Sequence, residues 1–325
     1  MSLKKKFENI KEDNDQKNNT ENKNIFNLYN KNLILQDIFT NNSAQLISPI
    51  SFNNHFSSIV EEKKIDVKFL FSQKNILQSF NSQKLTRYLQ KNLINISKEM
   101  ITYIINELRG NFRDIIKNKN GNYFCSNIIK ICDKENRIKI LRELSDSICD
   151  DCTDSYGKFP IQHLIELASG EDEFKLILSS FKDYNKILLA SLNQHGTYVI
   201  QKIIRQIPEQ QRIKFNIIFV KFVVILSRNT YGVYALETFI CNTKNDIIQK
   251  QILSSIMTNF VNIATNKSGN YLIQCLLEKW WKNKKGETLK SIIISKYEIL
   301  SKNEYSIYIC NLFVKLSSNE EKKDN

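Results

Sequence analysis

Glycine and proline are scarce, with 8 Gly and 3 Pro among the 325 residues, while apolar residues make up 42%. An all-β fold with many tight turns draws heavily on those two residues, so the composition favours helices joined by short connections. Apolar runs stay well short of the ~18 residues that span a bilayer. The chain does not begin with a basic segment followed by an apolar stretch, so no signal peptide is expected.

Residue clusters that carry catalysis or bind metals are also lacking. The 3 His have no partner pattern for metal or nucleophilic chemistry. Cys149 and Cys152 form a lone CxxC with no second pair or histidine cluster nearby, as a zinc site would require. We therefore expect no enzyme activity, no metal and no cofactor. The 7 scattered cysteines favour a reducing compartment, cytosolic or nuclear.

Positive charge is in excess, with a formal net charge of +13 and a pI near 9.2. Residues 1–24 hold six Lys and five acidic residues, so nearly all of the excess belongs to the remainder. A basic folded surface favours an anionic partner, with nucleic acid ahead of an anionic membrane. The alternative is a solubilising Lys excess without a partner.

The chain divides into four segments by composition. Residues 1–24 are rich in Asn, Lys and Glu and are predicted to be disordered. Residues 25–66 are interpreted as an extension with one or two helices, or a degenerate repeat. Residues 67–319 form a repeat domain, and residues 320–325 a disordered tail.

Five glycines recur at spacings of 36, 39, 36 and 37 residues, at Gly121, Gly157, Gly196, Gly232 and Gly269. They open the segments GNYFCS, GKFPIQ, GTYVIQ, GVYALE and GNYLIQ. The same step leads forward to SIYICN at Ser306 and backward to LTRYLQ at Leu85, which keep the pattern without the glycine. The intervening segments have helical periodicity, so the period predicts an α-solenoid.

The segment GTYVIQKIIRQI shows how each repeat is expected to work. Thr197 and Gln201, four residues apart, are predicted to share the opposite face of the helix from the core, with Tyr198 beside them. Gly196 is expected to let the chain turn tightly into the helix. The predicted core stripe is Val199, Ile200, Ile203, Ile204 and Ile207.

This pattern resembles the Pumilio, or PUF, family of RNA-binding repeat proteins over residues 67 to about 319. The resemblance rests on GNYLIQCLLE, GTYVIQKIIR, GNYFCSNIIK and LTRYLQKNL at their common spacing. It implies an all-α fold, a right-handed curved α-solenoid of tandem ~36-residue helical repeats. It also implies six base-reading repeats and a C-terminal cap at Ile307, Tyr308 and Asn311, fewer repeats than the family usually has.

By this resemblance, each repeat reads one base with two edge-contacting residues and one stacking residue. The implied edge-contacting pairs are Asn270 and Gln274, Val233 and Glu237, Thr197 and Gln201, Lys158 and Gln162, Asn122 and Ser126, and Thr86 and Gln90. The implied stacking residues are Tyr271, Tyr234, Tyr198, Phe159, Tyr123 and Arg87.

The family's base preferences imply a 5′-UGU-like core read by the three C-terminal repeats, because the RNA runs antiparallel to the protein. Asn270 and Gln274 match the uracil reader, and Glu237 matches the guanine reader although Val233 departs from the usual small hydroxyl residue. Thr197 with Gln201 resembles a uracil or adenine reader.

The other three repeats fit the family pattern less uniformly. Thr86, Arg87 and Gln90 resemble an adenine reader. Lys158 is atypical for the family, and Ser126 replaces a longer Gln.

The resemblance implies that the protein binds single-stranded RNA in mRNA 3′ untranslated regions and represses the translation or stability of those mRNAs. It also implies a cytoplasmic monomer that recruits a deadenylase complex and binds no membrane. One alternative is a nucleolar rRNA-binding ribosome-assembly factor of the PUF-like branch. Another is a protein-binding α-solenoid scaffold. A third interpretation places the repeated tyrosines in the core and the repeated glutamines on a solvated face.

Overall fold

The computed structural model describes residues 71–94 and 96–324, together with Lys68. The predictions for residues 1–24 and 25–66 lie outside the described residues. The chain divides into two units, residues 1–79 and 80–325. In the first, α1 spans Gln73–Ser79, and the Ser79 hydroxyl donates a hydrogen bond to the Ile76 carbonyl at 2.6 Å.

The second unit is built from helices in a regular order, and its described residues contain no strand. Each repeat contributes an outer helix, a short helix and an inner helix. The inner helices are α2 (Gln83–Asn92), α5 (Gly121–Ile131), α8 (Lys158–Leu167), α11 (Gly196–Gln206), α14 (Gly232–Asn242), α17 (Gly269–Trp280) and α20 (Ile307–Asp324).

The outer and short helices alternate between the inner helices. The outer helices are α3 (Lys98–Glu107), α6 (Lys134–Leu144), α9 (Glu171–Ser179), α12 (Ile213–Lys221), α15 (Asp246–Thr258) and α18 (Lys284–Ser295). The short helices are α4 (Phe112–Lys117), α7 (Ile148–Asp151), α10 (Tyr184–Leu192), α13 (Val223–Ser227), α16 (Phe260–Ala264) and α19 (Tyr297–Ser301). None of the helices in the described residues is both long and apolar enough to cross a membrane.

Equivalent helices of neighbouring repeats pack against each other. Each inner helix lies against the inner helix of the next repeat, and outer helices α6 and α9, or α12 and α15, pack in the same way. This layered stack confirms the predicted all-α solenoid. The last inner helix continues to Asp324, past residue 319 where the sequence predicts the array to end.

The core lies between the two layers and consists of the predicted helical stripes. In α11, Val199, Ile200 and Ile203 are fully buried and Ile204 is 2% exposed, as is Ile207 directly after the helix. Aromatic rings fill the space between the outer and inner helices of a repeat: the ring centroids of Phe219 and Phe239 lie 4.7 Å apart at an angle of 18°. Burial of such apolar surface is the main term that stabilises the stack.

The repeated glycines are favoured by close packing, which corrects the expectation of a special turn conformation. In the described residues only Gly110 has a positive φ, at 83°. A Cβ on Gly196 would instead lie 2.5 Å from the Ala190 carbonyl oxygen, six residues earlier. Ser306 takes this place in the last repeat, and its hydroxyl donates to the corresponding Leu300 carbonyl at 2.7 Å.

An Asn or Asp three residues before each of these positions shapes the loop. Its side-chain oxygen accepts from two successive backbone N–H groups, as Asn193 Oδ1 does from His195 at 2.8 Å and Gly196 at 3.0 Å. This Asx-type turn satisfies donors at the helix start that would otherwise be unpaired. The residues that do this are Asn118, Asp154, Asn193, Asn229, Asn266 and Asn303.

Polar contacts also join successive repeats outside the inner layer. Glu173, fully buried, accepts from Arg137 at 3.0 Å, so the ion pair links α6 to α9. Asp151, 2% exposed, pairs with Arg113 and Lys117 of the preceding repeat. Buried pairs of this kind add little net stability, but removal of one partner leaves an uncompensated charge, which penalises a wrong register of repeats.

Candidate nucleic-acid interface

The stacking residues, two positions after each glycine, are exposed although they are aromatic. Tyr123, Phe159, Tyr198, Tyr234 and Tyr271 are 59%, 43%, 53%, 53% and 61% exposed, and Arg87 is exposed as well. Core packing is therefore the wrong interpretation of these rings. Large rings held in solvent at one position of successive repeats form a row, and flat heterocycles stack on such rings.

The first edge residues are buried, except for Lys158, which is partly exposed. Thr86, Asn122, Thr197, Val233 and Asn270 are between 0% and 3% exposed. Thr197 does share a helix face with Gln201, whose Nε2 donates to its hydroxyl, but Thr197 is covered there and not open to solvent. The loop of the next repeat covers the first helical turn, and the Thr197 hydroxyl donates to the Tyr231 carbonyl of that loop at 3.0 Å.

Asn270 orients Gln274, the second edge residue of its repeat. The Asn270 amide nitrogen donates to the carbonyls of Asn266 at 3.1 Å and Lys267 at 2.8 Å. Its Oδ1 accepts from Gln274 Nε2 at 2.9 Å. The amide of the half-buried Gln274 is thereby fixed, and its oxygen remains for an outside donor.

Asn122 makes the same backbone contacts, but its repeat lacks the partner. Its Nδ2 donates to the carbonyls of Asn118 at 2.9 Å and Lys119 at 2.8 Å. Its Oδ1 is buried and has no hydrogen-bond partner. Ser126, 7% exposed, is too short to supply the donor that Gln274 supplies to Asn270. This repeat thus presents the Tyr123 ring for stacking, but its second edge residue, Ser126, offers little to contact a base edge.

Gln201 is held by a network that spans two repeats. Its Nε2 donates to Thr197 Oγ1 at 3.4 Å, and its Oε1 accepts from Thr238 of the next repeat at 3.2 Å. Arg205 donates to the same oxygen at 3.3 Å. The side chain is therefore preorganised, and contact with a base requires it to exchange some of these bonds.

Lys158 places a cation between two stacking rings. Its Nζ lies 4.9 Å from the Phe159 ring centroid and 5.7 Å from that of Tyr198 in the next repeat. It donates to His195 Nδ1 at 2.9 Å, and partial burial lowers its pKa. A base between these two rings has to share the space with the ammonium, or displace it. The Gln162 amide is turned toward the backbone, where it donates to the Lys158 carbonyl at 3.1 Å.

Glu237 is the acidic second edge residue, and it titrates near neutrality. Burial raises the pKa of its carboxyl to about 7, with a smaller contribution from Cys241. Val233 supplies no hydrogen-bonding group at the first edge position. The Glu237 carboxyl is therefore the polar group through which this repeat can hydrogen-bond to a base edge.

The N-terminal repeat differs again. The buried Thr86 donates to the Ser82 carbonyl at 3.0 Å, and Arg87 replaces an aromatic ring. Arg87 and Gln90 line an open cavity of about 410 Å³ between α2 and α5. The guanidinium plane can stack as a ring does.

A second row of contacts, which the sequence reasoning missed, joins the inner helices one turn beyond the edge residues. A residue nine positions after one glycine contacts the residue six positions after the next. Glu166 pairs with Lys202 at 3.1 Å, and Arg205 donates to Thr238 at 3.4 Å. The regular spacing of oppositely charged or polar residues could have revealed this row.

The family model described as the Pumilio-family RNA binding repeat matches residues 111–145, 187–214 and 259–280. These segments contain the glycine-led starts of α5, α11 and α17. The chain contains Pumilio-family repeats, and these matches support a divergent Pumilio-family protein. The Pumilio array thus includes the stacking row and the edge residues described above.

Curated Pumilio proteins align with the chain at low identity and over different lengths. Pumilio homolog 12 of Arabidopsis thaliana is 25% identical over 231 residues, which are 70% of this chain and 38% of that protein. A Pumilio domain-containing protein of Schizosaccharomyces pombe is 27% identical over 130 residues, 38% of this chain and 16% of that protein. The chain therefore spans well under half the length of these relatives.

Solved Pumilio structures share the fold. A Puf4 mutant bound to a Cox17 RNA 3′ UTR recognition sequence matches with a TM-score of 0.70 and 15% identity, over 78% of this chain and 76% of that one. The RNA-binding domain of yeast Puf5p bound to SMX2 RNA matches with a TM-score of 0.65 and 19% identity, over 74% and 68%. At these identities the likeness is one of fold.

Proposed function

We propose that the Pumilio array binds single-stranded RNA with sequence selectivity, one base per repeat. The observation that carries this proposal is the row of exposed rings at one repeat position, five of them next to an edge pair and one, Tyr308, in the cap. Aromatic rings in a soluble protein are normally buried, and a regular exposed row is the arrangement on which successive bases stack. The related structures named above hold RNA, which supports the same function here.

The three C-terminal repeats are proposed to read a UGU-like core, with the RNA 5′ end at Asn270. The fixed Asn270–Gln274 pair suits uracil. The ionised Glu237 accepts from the N1–H and N2–H groups of guanine, which no other base presents together. Thr197 and Gln201 take the third base. Each base–ring stack contributes about 1–3 kcal/mol, and the edges decide which base is preferred.

The proposed cellular role is repression of the translation or stability of mRNAs that carry this element in their 3′ untranslated regions. Binding in the cytoplasm as a monomer and recruitment of a deadenylase complex are part of the same proposal. The 3′ UTR recognition sequence bound by the related Puf4 structure supports this choice of target.

A second candidate is rRNA binding with weak sequence selectivity in the nucleolus. The repeats of Lys158 and of Asn122 favour it, because one has a cation between its rings and the other lacks a second edge. Under this candidate, affinity comes mainly from the positive surface and the rings. It would then fall steeply with salt and depend little on base identity.

Titration of the purified protein into short labelled RNAs by fluorescence anisotropy distinguishes the candidates. One RNA carries UGU and the other carries ACA in its place, each at low and at moderate salt. We expect the ACA substitution to weaken binding by tenfold or more, about 1.4 kcal/mol, at both salt concentrations. Equal binding of both RNAs that collapses as salt rises would favour the second candidate. No binding of either RNA would refute both and leave a protein-binding scaffold.

A further inference from the structure

Cys241 and Cys275 form a thiol pair across two neighbouring repeats. Cys241 lies near the end of α14 and is exposed, Cys275 lies in α17 and is partly exposed, and each thiol perturbs the pKa of the other. They occupy the second row, nine positions after Gly232 and six after Gly269. The same two positions bring Glu166 to Lys202 and Arg205 to Thr238, so the repeat geometry itself places the two sulfurs together.

Basic groups surround Cys241 from both neighbouring inner helices. The hydrogen bond from the Cys275 thiol lowers the pKa of Cys241, and Lys279 of α17 and Arg205 of α11 lower it further. Lys279 is fixed in place because its Nζ donates to the Ile240 carbonyl at 2.9 Å. Glu237, on the same helix as Cys241, is the acidic group of this cluster. The pKa of Cys275 is raised by its bond to Cys241 and by burial.

The other five cysteines have the opposite character. Burial raises the pKa of the thiols of Cys125, Cys132, Cys149, Cys152 and Cys310, and all five are buried. Thiolate character and access to solvent decide which cysteine reacts with an oxidant. Only the Cys241–Cys275 pair combines a thiolate, solvent access and a second thiol in contact.

We propose that Cys241 and Cys275 are an oxidation site, at which a peroxide converts the two thiols into a disulfide that ties one repeat to the next. Cys241 is the attacking thiol and Cys275 the resolving thiol. The two helices that carry these cysteines, α14 and α17, already pack together, as a disulfide between them requires.

The reaction balances with one peroxide. The Cys241 thiolate attacks an oxygen of hydrogen peroxide, so the S–O bond forms, the O–O bond breaks and hydroxide leaves to become water with one proton. The Cys275 sulfur then attacks the sulfenic sulfur of Cys241, so the S–S bond forms and the S–O bond breaks. The second oxygen leaves as water with the Cys275 proton. Two thiols are oxidised by two electrons and the peroxide is reduced to two waters.

The test is thiol mapping of the full chain after exposure to a small excess of hydrogen peroxide. Free thiols are alkylated, the chain is digested without reductant, and the peptides are identified by mass spectrometry. We expect a cross-linked pair of peptides that contain Cys241 and Cys275 and that separate on reduction. Before oxidation, Cys241 should be alkylated at least ~10-fold faster than the buried Cys132.

Two single variants separate the roles. In Cys275→Ser, peroxide should leave a sulfenic acid on Cys241 that a dimedone probe traps. In Cys241→Ser, Cys275 should remain a free thiol at the same peroxide dose. Both substitutions remove little volume, and circular dichroism verifies the fold.

The proposal is overturned if oxidised wild-type protein shows no Cys241–Cys275 link, or if Cys241 and Cys132 are alkylated at equal rates. No RNA is present in the test, so its result is independent of the proposed RNA-binding function.

Discussion

The titration of Glu237 predicts that recognition of guanine strengthens as the pH rises through neutrality. The pKa of this carboxyl is raised by burial to about 7, from a reference value of 4.5. Below this pKa the group is protonated, and one oxygen becomes a donor facing the donor groups of guanine. Above it, both oxygens accept. The sign is therefore fixed: affinity for a guanine-containing site increases with pH.

The size of the effect follows from the ionised fraction. With a pKa of about 7, roughly one chain in eleven carries the carboxylate at pH 6 and about ten in eleven at pH 8. If only the ionised form binds guanine, the dissociation constant falls about tenfold over this interval, or about 1.4 kcal/mol.

The assay is fluorescence anisotropy with a UGU RNA and a matched UAU RNA, each at pH 6, 7 and 8 and constant ionic strength. The UGU affinity is expected to rise about tenfold while the UAU affinity changes little. Glu237→Gln should remove the pH dependence and keep the shape of the side chain. Cys241→Ser serves as control, because Cys241 is the neighbour whose charge also changes near this pH. A UGU-to-UAU affinity ratio that stays constant with pH, or a Glu237→Gln protein as pH-dependent as the wild type, would refute the reasoning.

Three further predictions concern stacking, selectivity and packing. Tyr271→Ala should weaken RNA binding in anisotropy titrations by about 5- to 150-fold, because a base–ring stack is worth about 1–3 kcal/mol. Tyr184→Ala is the control: this tyrosine is also exposed but lies outside the inner helices, so RNA affinity should not change. Changing the RNA base opposite the Lys158 repeat should alter the RNA affinity of the wild type by less than about threefold, because the ammonium lies between the two rings. Lys158→Thr should make the protein selective for the base at that RNA position. Strong selectivity in the wild type would contradict the role given to the ammonium. Gly196→Ala should lower the free energy of unfolding, measured by urea denaturation, by about 1–3 kcal/mol because its Cβ meets the Ala190 carbonyl. Gly170→Ala displaces only the end of the Lys134 side chain, so it should lower the free energy of unfolding very little. Equal losses in the two variants would contradict the packing argument.

The repeat and its helical core could be predicted because both depend on local periodicity. The glycine spacing fixed the number of inner helices, and the stripe at Val199, Ile200 and Ile203 is buried as expected. Exposure of the rings at Tyr198 and Tyr271 also followed from the helical face. In each case the residue's position within one helix decides the outcome.

Features that depend on the next repeat could not be predicted. Thr197 is buried because a loop 34 residues later covers it, and sequence spacing within one repeat does not show that contact. The glycines looked like turn residues, yet their role is to let a carbonyl approach. The position of the Lys158 ammonium between two rings likewise depends on a neighbour, Tyr198.

The central claim, that each repeat reads one base through its edge pair, is tested most directly by rewriting one repeat. The double variant Val233→Asn with Glu237→Gln copies the Asn270–Gln274 pair into the preceding repeat. Affinities for UGU and UUU RNAs are then measured for both proteins. The account predicts that the wild type prefers UGU and the variant prefers UUU, each by about tenfold or more, about 1.4 kcal/mol. If both proteins bind the two RNAs with the same preference, the bases are not read by these side chains and the account is wrong.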